Sequence, residues 1–303
     1  MDMDVIPRER MMREIARSET ARHVAAAAPI GIILIDSGRL RPEDAEAVLR
    51  LQKVRDLRFG DAAIELGLVS AEDIQYALSR QYDYPYLQPG DTRVSEKVIA
   101  AFQPFNRVVE QLRVLRSQLM LRWHEPLDEP KTLAIVSPAP REGRSFTAAN
   151  LAVVFSQLGE RTLLIDADLR NPSQHALFRL PNQLGLSSVL SERCSAEQAI
   201  ARVDGLRALS VLPAGPKPPN PQELLSRYTF GALLEQMQSQ FDVVVIDTPA
   251  GADNADAQTV AARCKGSLIV ARKDATTARS LQRTVQALQQ SGVRVLGAVM
   301  NNG

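Results

Sequence analysis

Three aspartates stand at the ends of segments whose apolar residues are typical of buried strands. Asp166 and Asp168 follow the apolar run 163–165, and Asp247 follows the run 243–246. Carboxylates at the ends of neighbouring parallel strands can converge on a metal ion and on the group that accepts a phosphoryl. One such aspartate could simply cap a turn. Three of them in this layout predict a phosphoryl-transfer site that uses Mg²⁺.

The loop 137–146, SPAPREGRSF, lies between a predicted strand and a predicted helix, which is the setting of a phosphate-binding P-loop. In such a loop the backbone N–H groups cradle phosphates, and a serine hydroxyl, here that of Ser145, holds Mg²⁺. Arg144 stands where the motif has lysine, and Arg141 stands where a second glycine is usual. The chain has 30 arginines and six lysines, so Arg144 also fits a general preference for arginine.

Strands and helices are predicted to alternate from residue 131 to residue 303. The predicted strands are 132–137, 162–165, 209–212, 243–246, 267–271 and 295–300, and the predicted helices are about 145–158, 221–238, 254–264 and 277–291. This alternation predicts an α/β fold with a mostly parallel sheet and helices on both faces. Ligands then bind at the carboxyl ends of the strands.

The composition is that of a globular chain long enough for about two domains, with 303 residues of which 45% are hydrophobic and 23% charged. These values exclude a collagen, a disordered tail and a disulfide-stabilised mini-protein. A net charge of +1 gives no argument for nucleic-acid binding, and the two cysteines, Cys194 and Cys264, fit a reducing compartment.

The longest apolar run, 24–35, is too short to span a membrane. Because the N-terminus also lacks an apolar signal core, we expect a cytoplasmic protein without direct membrane insertion.

Two stretches in the first third of the chain match with a constant offset of 29 residues. The matched pairs include Gly31 with Gly60, Gly38 with Gly67, Leu49 with Leu78 and Gln52 with Gln81. Each copy is predicted to contain a short helix, a glycine turn and a second helix with acids in its first turn. We expect Leu49 and Leu78 on buried faces. The repeat therefore predicts a small all-α domain before the sheet.

The predicted organisation has four parts. They are an N-terminal extension at 1–23, a helical tandem-repeat module at 24–90, bridging helices and a linker at 91–130, and a P-loop domain at 131–303. The main bridging helix is expected at 107–123, where apolar residues recur at helical spacing. Its charged face carries Glu110, Arg113 and Arg116.

The motifs of the last part together resemble those of the bacterial tyrosine kinases, a branch of the ParA/MinD-like P-loop proteins. They are the loop 137–146, LLIDADLR at 163–170, LPAGP and PPNPQELL between 212 and 225, and VIDTP at 245–249. With the repeat in front, the chain is most similar to the chain-length-determinant kinases of exopolysaccharide clusters. The resemblance implies an ATP- and Mg²⁺-dependent tyrosine autokinase that regulates exopolysaccharide chain length and export.

This resemblance also implies roles for individual residues. The nucleotide would be bound by Arg141, Glu142, Gly143, Arg144, Ser145, Phe146, Asp247 and Asn301, the last at adenine. Mg²⁺ would be held by Ser145, Asp166 and Asp247. The catalytic residues would be Asp166, Asp168 and Arg144, with the roles of metal ligand and base left open between the two aspartates. Glu110, Arg113 and Arg116 match an inter-subunit motif, which implies a homo-oligomer. A separate transmembrane polysaccharide co-polymerase is the implied partner.

The repeat resembles the N-terminal domain of type II secretion and type IV pilus ATPases. Part of that family binds cyclic di-GMP through two tandem motifs. In the first copy Pro29 replaces the family's arginine, which removes a phosphate-binding fork. The residues implied to bind cyclic di-GMP are Gly31, Gln52, Arg58, Gly60 and Gln81. The alternative is a helical docking module that binds no ligand.

Three functions stay open at this point. The first is the kinase or ATPase, the second is a catalytically weak nucleotide-binding adaptor with a cyclic di-GMP sensor, and the third is a positioning ATPase of the ParA/MinD kind. The adaptor is suggested by Arg141, by Arg144 and by the five tyrosines, none of which forms the C-terminal cluster that the kinase family uses as its own substrate. Neutral net charge argues against the DNA or membrane binding of a positioning ATPase.

Overall fold

The computed structural model describes residues 28–82, 85–88, 90–122, 131–251, 255–264 and 266–302. The chain divides into two units, Met1–Pro85 and Tyr86–Gly303. The predicted N-terminal extension, 1–23, and the predicted linker, 125–130, lie outside the described residues.

The described residues of the first unit form four helices, which follow the two copies of the repeat. They are α1 (Ile30–Asp36), α2 (Pro42–Arg55), α3 (Phe59–Glu65) and α4 (Ala71–Gln81). The first helix of each copy ends at a glycine in the left-handed conformation, with φ of 71° at Gly38 and 67° at Gly67. A glycine there has no Cβ to clash with the following carbonyl, so it ends the helix at low cost.

The second helices of the two copies differ in how they begin and in which face they bury. Helix α4 begins at a capping box between Ser70 and Asp73, whereas α2 begins with a proline in its first turn. Leu49 is buried as predicted, but Leu78 is only half-buried. The expectation for Leu78 is wrong because α4 turns a different face inward, which contains Ala77.

The second unit is built on a seven-stranded sheet in the order β3-β4-β2-β5-β1-β6-β7. The strands are β1 (Lys131–Val136), β2 (Thr162–Asp166), β3 (Ala201–Arg202), β4 (Leu209–Leu212), β5 (Val243–Asp247), β6 (Gly266–Arg272) and β7 (Val295–Asn301). All neighbouring strands are parallel except β3, which runs antiparallel to β4. Each of the six predicted strands is present, with ends that differ by one residue at most.

Two helices of this unit precede β1, and the others lie between the strands along the chain. They are α5 (Ile99–Phe102), α6 (Arg107–Arg122), α7 (Arg144–Ser156), α8 (Gln174–Leu177), α9 (Leu186–Leu190), α10 (Ala196–Ala199), α11 (Pro221–Ser226), α12 (Tyr228–Gln240), α13 (Ala255–Ala262) and α14 (Ala278–Gln290). The predicted helix 221–238 is two helices, because Arg227 between them has an extended backbone with ψ of 153°.

Alternate residues of the strands belong to two separate apolar clusters. In β1, Leu133 and Ile135 belong to one cluster, and Ala134 and Val136 belong to the other. Side chains alternate between the faces of a strand, so both faces of the sheet are buried. The predicted α/β fold with a covered, mostly parallel sheet is therefore confirmed.

Helices α5 and α6 are part of the second unit, although the sequence suggested that 91–130 bridges two domains. Phe102, Val109 and Leu119 belong to the apolar core of this unit. The backbone N–H of Ala100 donates to Asn150 Oδ1 of α7 at 2.9 Å. A buried face with these partners packs on the sheet domain, which a sequence pattern of charged residues and prolines could not reveal.

We expect the substitution Gly185→Ala to lower the free energy of unfolding by about 3 kcal/mol. A Cβ atom at Gly185 would lie 2.3 Å from both Gly215 N and Pro213 O. These are backbone atoms, so the loop after β4 would have to move. Gly292→Ala is the control, since it has a positive φ but nothing within 4 Å of the new Cβ. Urea unfolding measures both variants, and equal losses would contradict the prediction.

Candidate active site

The P-loop connects β1 to α7 and contains two residues with positive φ. The values are 63° at Arg141 and 93° at Gly143. Glycine is usual at the first of these positions because L-residues adopt this conformation at a cost of about 1–2 kcal/mol. Within the described part of the chain, the amides of residues 143–146 donate no hydrogen bond. Residues 144–146 are the first turn of α7, so these amides form a set of donors at a helix N-terminus that is suited to phosphate.

The end of β7 lies against this loop. Asn301 Nδ2 donates to the Glu142 carbonyl oxygen at 3.1 Å. A Cβ atom at Gly143 would lie 2.1 Å from the same nitrogen, so the close approach depends on glycine. The structure therefore places Asn301 beside the P-loop, and its predicted contact with adenine stays a prediction.

Two loop residues assigned to nucleotide binding have other contacts. The Glu142 carboxylate is buried, accepts from Ala139 N at 2.8 Å and also accepts from the Thr276 hydroxyl. The Glu142 carboxylate therefore bonds to the loop itself and to the segment after β6. These contacts give Glu142 a structural role. The Phe146 carbonyl accepts from the Asn150 side chain at 2.9 Å. The Arg141 side chain is exposed.

The structure brings the three predicted aspartates to one edge of the sheet. Asp166 and Asp247 are direct neighbours in the register of β2 and β5, and Asp168 follows two residues later. Their exposed fractions are 0%, 0% and 4% in that order. Arg144, 7% exposed, lies between them: its Nε is 2.8 Å from Asp247 Oδ1 and its Nη2 is 2.9 Å from Asp168 Oδ2. The residue expected to bind phosphate is therefore ion-paired with two carboxylates of the site.

Burial disfavours the charged form of these carboxyl groups. Burial and the nearby Asp247 raise the pKa of Asp166 to about 8, although Asp166 accepts from the backbone amides of Asp168, Ser173 and Gln174. Burial also raises the pKa of Asp168, and the amide of Asn171 and Arg144 offset part of that rise. Perturbed carboxyl groups in one cluster are typical of functional sites.

We expect the free energy of unfolding of the ligand-free protein to fall as the pH rises from 3.8 to about 8, on account of Asp166. In this range the folded state keeps a proton that the unfolded state has released, so raising the pH favours unfolding. Urea unfolding across the range should show a smaller fall for Asp166→Asn, which cannot titrate. A difference between variant and wild type that stays constant with pH would count against this assignment.

The part of the sequence that forms this site is similar to that of known proteins. The family model ParA, described as NUBPL iron-transfer P-loop NTPase, matches residues 130–302. The tyrosine-protein kinase YwqD of Bacillus subtilis is 40% identical over 69% of this chain and 87% of that protein. The putative tyrosine-protein kinase CapB of Staphylococcus aureus is 36% identical over 66% and 86%. This chain belongs to the bacterial tyrosine-protein kinases.

A solved structure agrees with this membership. The kinase domain of the Escherichia coli tyrosine kinase ETK has a TM-score of 0.66 and 32% identity, over 73% of this chain and 85% of that domain. The ParA family model over residues 130–302 confirms the expected P-loop fold of the ParA/MinD kind. No helix in the described residues is long and apolar enough to cross a membrane.

The donor set of the kinase site fits Mg²⁺ bound together with a nucleotide. In the described ranges no group of three or more acidic, histidine or cysteine side chains is arranged to hold a metal alone. Mg²⁺ typically takes one or two carboxylates and completes its shell with phosphate oxygens and water. Ser145, in the first turn of α7, and the carboxylates of Asp166 and Asp247 could supply such a partial set.

The sequence did not single out Gln174, which lies at the centre of the site. Its Nε2 donates to Asp247 Oδ2 at 2.8 Å and to the Ser145 carbonyl at 3.1 Å. A lone glutamine in a four-residue helix has no periodic or motif signal. In the sequence, only its position eight residues after Asp166 indicated that Gln174 lies near the site.

The residues of the motif assigned to subunit contacts also make contacts within the same chain. Glu110 and Arg113 form an ion pair of 2.9 Å on α6. Arg116 Nη1 donates to the Val154 carbonyl at 2.9 Å, near the C-terminus of α7. An arginine at that end of a helix satisfies a free carbonyl and complements the helix dipole.

The residues assigned to cyclic di-GMP lie at equivalent places in the first unit. Gly31 and Gly60 are buried in the first turns of α1 and α3. Gln52 and Gln81 are half-buried in α2 and α4, and Arg58 is exposed just before α3.

Proposed function

We propose that this protein is an ATP- and Mg²⁺-dependent tyrosine kinase that transfers phosphate to tyrosine side chains of itself or of a partner. The observation that carries the proposal is the buried cluster in which the P-loop residue Arg144 is paired with Asp168 and Asp247. Phosphoryl transfer needs a cation, carboxylates and free amides at one place. The named kinases among its relatives support this choice over a positioning ATPase.

The residues divide the work in the following way. The amides of 143–146 and the Arg144 guanidinium bind phosphate oxygens, and the planar guanidinium can exchange carboxylate for phosphate because both accept its paired donors. Ser145, Asp166 and Asp247 hold Mg²⁺, which neutralises charge on the transferred group when bound. Asp168 accepts the tyrosine proton, since it is the least enclosed of the three carboxyl groups.

The test is phosphotransfer from γ-labelled ATP with Mg²⁺ to the chain itself and to a glutamate–tyrosine copolymer. Wild type and Arg144→Lys are compared, and hydrolysis to phosphate is measured in parallel. Label on tyrosine with the wild-type protein supports the kinase. Transfer by the lysine variant alone would instead support the nucleotide-binding adaptor, whose arginine stays with its carboxylates.

For the first unit we propose cyclic di-GMP binding as a second candidate function. Gln52 Oε1 is buried and has no hydrogen-bond partner among the described residues, and Arg58 presents an exposed guanidinium at the start of α3. An unsatisfied acceptor and an exposed cation suit a guanine base and a phosphate. Calorimetry of the full chain with cyclic di-GMP tests this, with Arg58→Ala as the matched variant. Absence of heat at high micromolar ligand would leave the docking-module alternative.

We also propose that the kinase forms a homo-oligomer through α6 and the residues before it. Phe105, Val114 and Leu121 are exposed apolar side chains there, with Leu121 65% exposed. Val114 and Leu121 are seven residues apart on α6 and so lie on one face of the helix, and an exposed apolar face is typical of a contact surface. Light scattering of wild type and of Val114→Glu with Leu121→Glu tests the proposal. An unchanged mass in the double variant would argue against this surface.

A transmembrane polysaccharide co-polymerase is the partner that we propose for the kinase, at the cytoplasmic face of the membrane. Membership of the kinase family supports this partner and a role in exopolysaccharide chain length and export. Deletion of the gene should alter the length distribution of the polymer. Restoration by wild type but not by an Asp168→Ala variant would link the effect to phosphotransfer.

A further inference from the structure

Gln174 is a fully buried side chain that connects three elements of the active site. Its backbone N–H donates to Asp166 Oδ2 at 2.9 Å, and its side-chain Nε2 donates to Asp247 Oδ2 at 2.8 Å. The same Nε2 donates to the Ser145 carbonyl at 3.1 Å, in the first turn of α7. The end of β2, the end of β5 and the P-loop helix therefore meet at one residue, the first through its backbone N–H and the other two through its side-chain NH₂.

The orientation of this amide is fixed by its partners. Asp247 Oδ2 and the Ser145 carbonyl are both acceptors, so the group that faces them must be the NH₂ with its two donors. A flipped amide would place its oxygen against two other oxygens. The position of Gln174 Oε1 follows from this chemistry.

That oxygen has no hydrogen-bond partner within the described residues, although it is buried. Its neighbours along the chain have the same property at Ser173 Oγ and His175 Nδ1. An unsatisfied buried acceptor costs about 1–3 kcal/mol. Such a cost at a site that binds a ligand points to a donor that arrives with the ligand.

We propose that Gln174 is a positioning residue for Mg²⁺–nucleotide, an inference that rests on the proposed kinase function. Its NH₂ group holds Asp247 and the first turn of α7 in place, and its Oε1 accepts a hydrogen bond from a water on the magnesium ion. Mg²⁺ keeps several waters when it binds nucleotide in proteins, and these waters are strong donors. Both groups that receive the NH₂ donors belong to residues assigned to Mg²⁺.

The experiment measures the affinity for a non-hydrolysable ATP analogue with and without Mg²⁺ by calorimetry, together with thermal unfolding. The variants are Gln174→Met, which removes donors and acceptor, and Gln174→Glu, which keeps acceptor oxygens at the same reach. Gln157→Met is the matched control, because Gln157 is a buried glutamine of the same unit whose Nε2 donates to the Ala100 carbonyl at 2.8 Å.

We expect Gln174→Met to change the affinity without Mg²⁺ by less than about threefold and to reduce the gain on adding Mg²⁺ at least tenfold, which is about 1.4 kcal/mol. Gln174→Glu should reduce the gain by less than about tenfold, because it keeps an acceptor oxygen but loses the donors that hold Asp247 and α7, and that loss also lowers its unfolding temperature. Gln157→Met should keep the wild-type gain.

Three outcomes overturn parts of this picture separately. A wild-type gain in Gln174→Met overturns the inference and leaves Gln174 with a structural role. A gain in Gln174→Glu that is reduced tenfold or more from that of wild type overturns the role of the oxygen, and this result stands even if Gln174→Met fails to fold. Failure of the wild-type protein to bind the analogue at all overturns the proposed kinase function itself.

Discussion

Asp166→Ala is expected to lower the rate of phosphotransfer at least about 100-fold, because it removes a carboxylate from the place where charge develops on the transferred phosphoryl. Asp166 accepts from the amides of Ser173 and Gln174, both at 2.9 Å. It therefore also fixes the segment that reaches Asp247. Single-turnover transfer from labelled ATP measures the effect.

Glu235→Ala is the control for this variant, since Glu235 is an exposed carboxylate on α12. Its rate should equal that of wild type within about twofold, as for most exposed substitutions away from a site. The proposed role of Asp166 is wrong if Asp166→Ala and Glu235→Ala transfer phosphate at the same rate while both stay folded.

Arg144→Met is expected to destabilise the ligand-free protein by about 3 kcal/mol, because it leaves Asp168 and Asp247 without their buried cation. It should also abolish detectable phosphotransfer, since the same guanidinium is the proposed phosphate ligand. Urea unfolding gives the free energy, and the labelled-ATP assay gives the rate. Arg144→Lys should recover part of both, because it restores the charge but not the two-sided fork.

Arg161→Met provides the comparison for stability. Arg161 pairs with Asp242 at 2.6 Å, but its side chain is 62% exposed. Ion pairs in water contribute little to stability, so this variant should unfold close to wild type. Equal destabilisation by Arg144→Met and Arg161→Met would contradict the prediction that the buried ion pairs of Arg144 stabilise the protein more than an exposed pair does.

The sheet could be predicted closely because its strands are short, mostly apolar runs between turn signals. Residues 209–212 are an example in which the predicted and observed ends coincide. The three aspartates could be placed at one edge because parallel strands have a common direction. The two-residue strand β3 and the four-residue helices α8 and α10 could not be predicted, since each is too short to show a period.

Side-chain partners were beyond the reach of the sequence pattern. The pairing of Arg144 with Asp168 and Asp247 joins residues 24 and 103 positions apart. The resemblance implied a subunit contact for Arg116, and nothing in its spacing predicted the hydrogen bond from its guanidinium to the Val154 carbonyl of the same chain. Both contacts depend on how helices lie on the sheet, and local spacing contains no information about that.

Helix α7 connects the P-loop at its N-terminus to a contact with α6 at its C-terminus. Its 13 residues span about 20 Å, with phosphate donors at one end and the carbonyl bound by Arg116 at the other. Asn150 fixes its middle to α5. In the proposed homo-oligomer, a neighbouring subunit that displaced α6 along α7 would move these donors. Nucleotide binding and assembly would then change each other's affinity by the same factor.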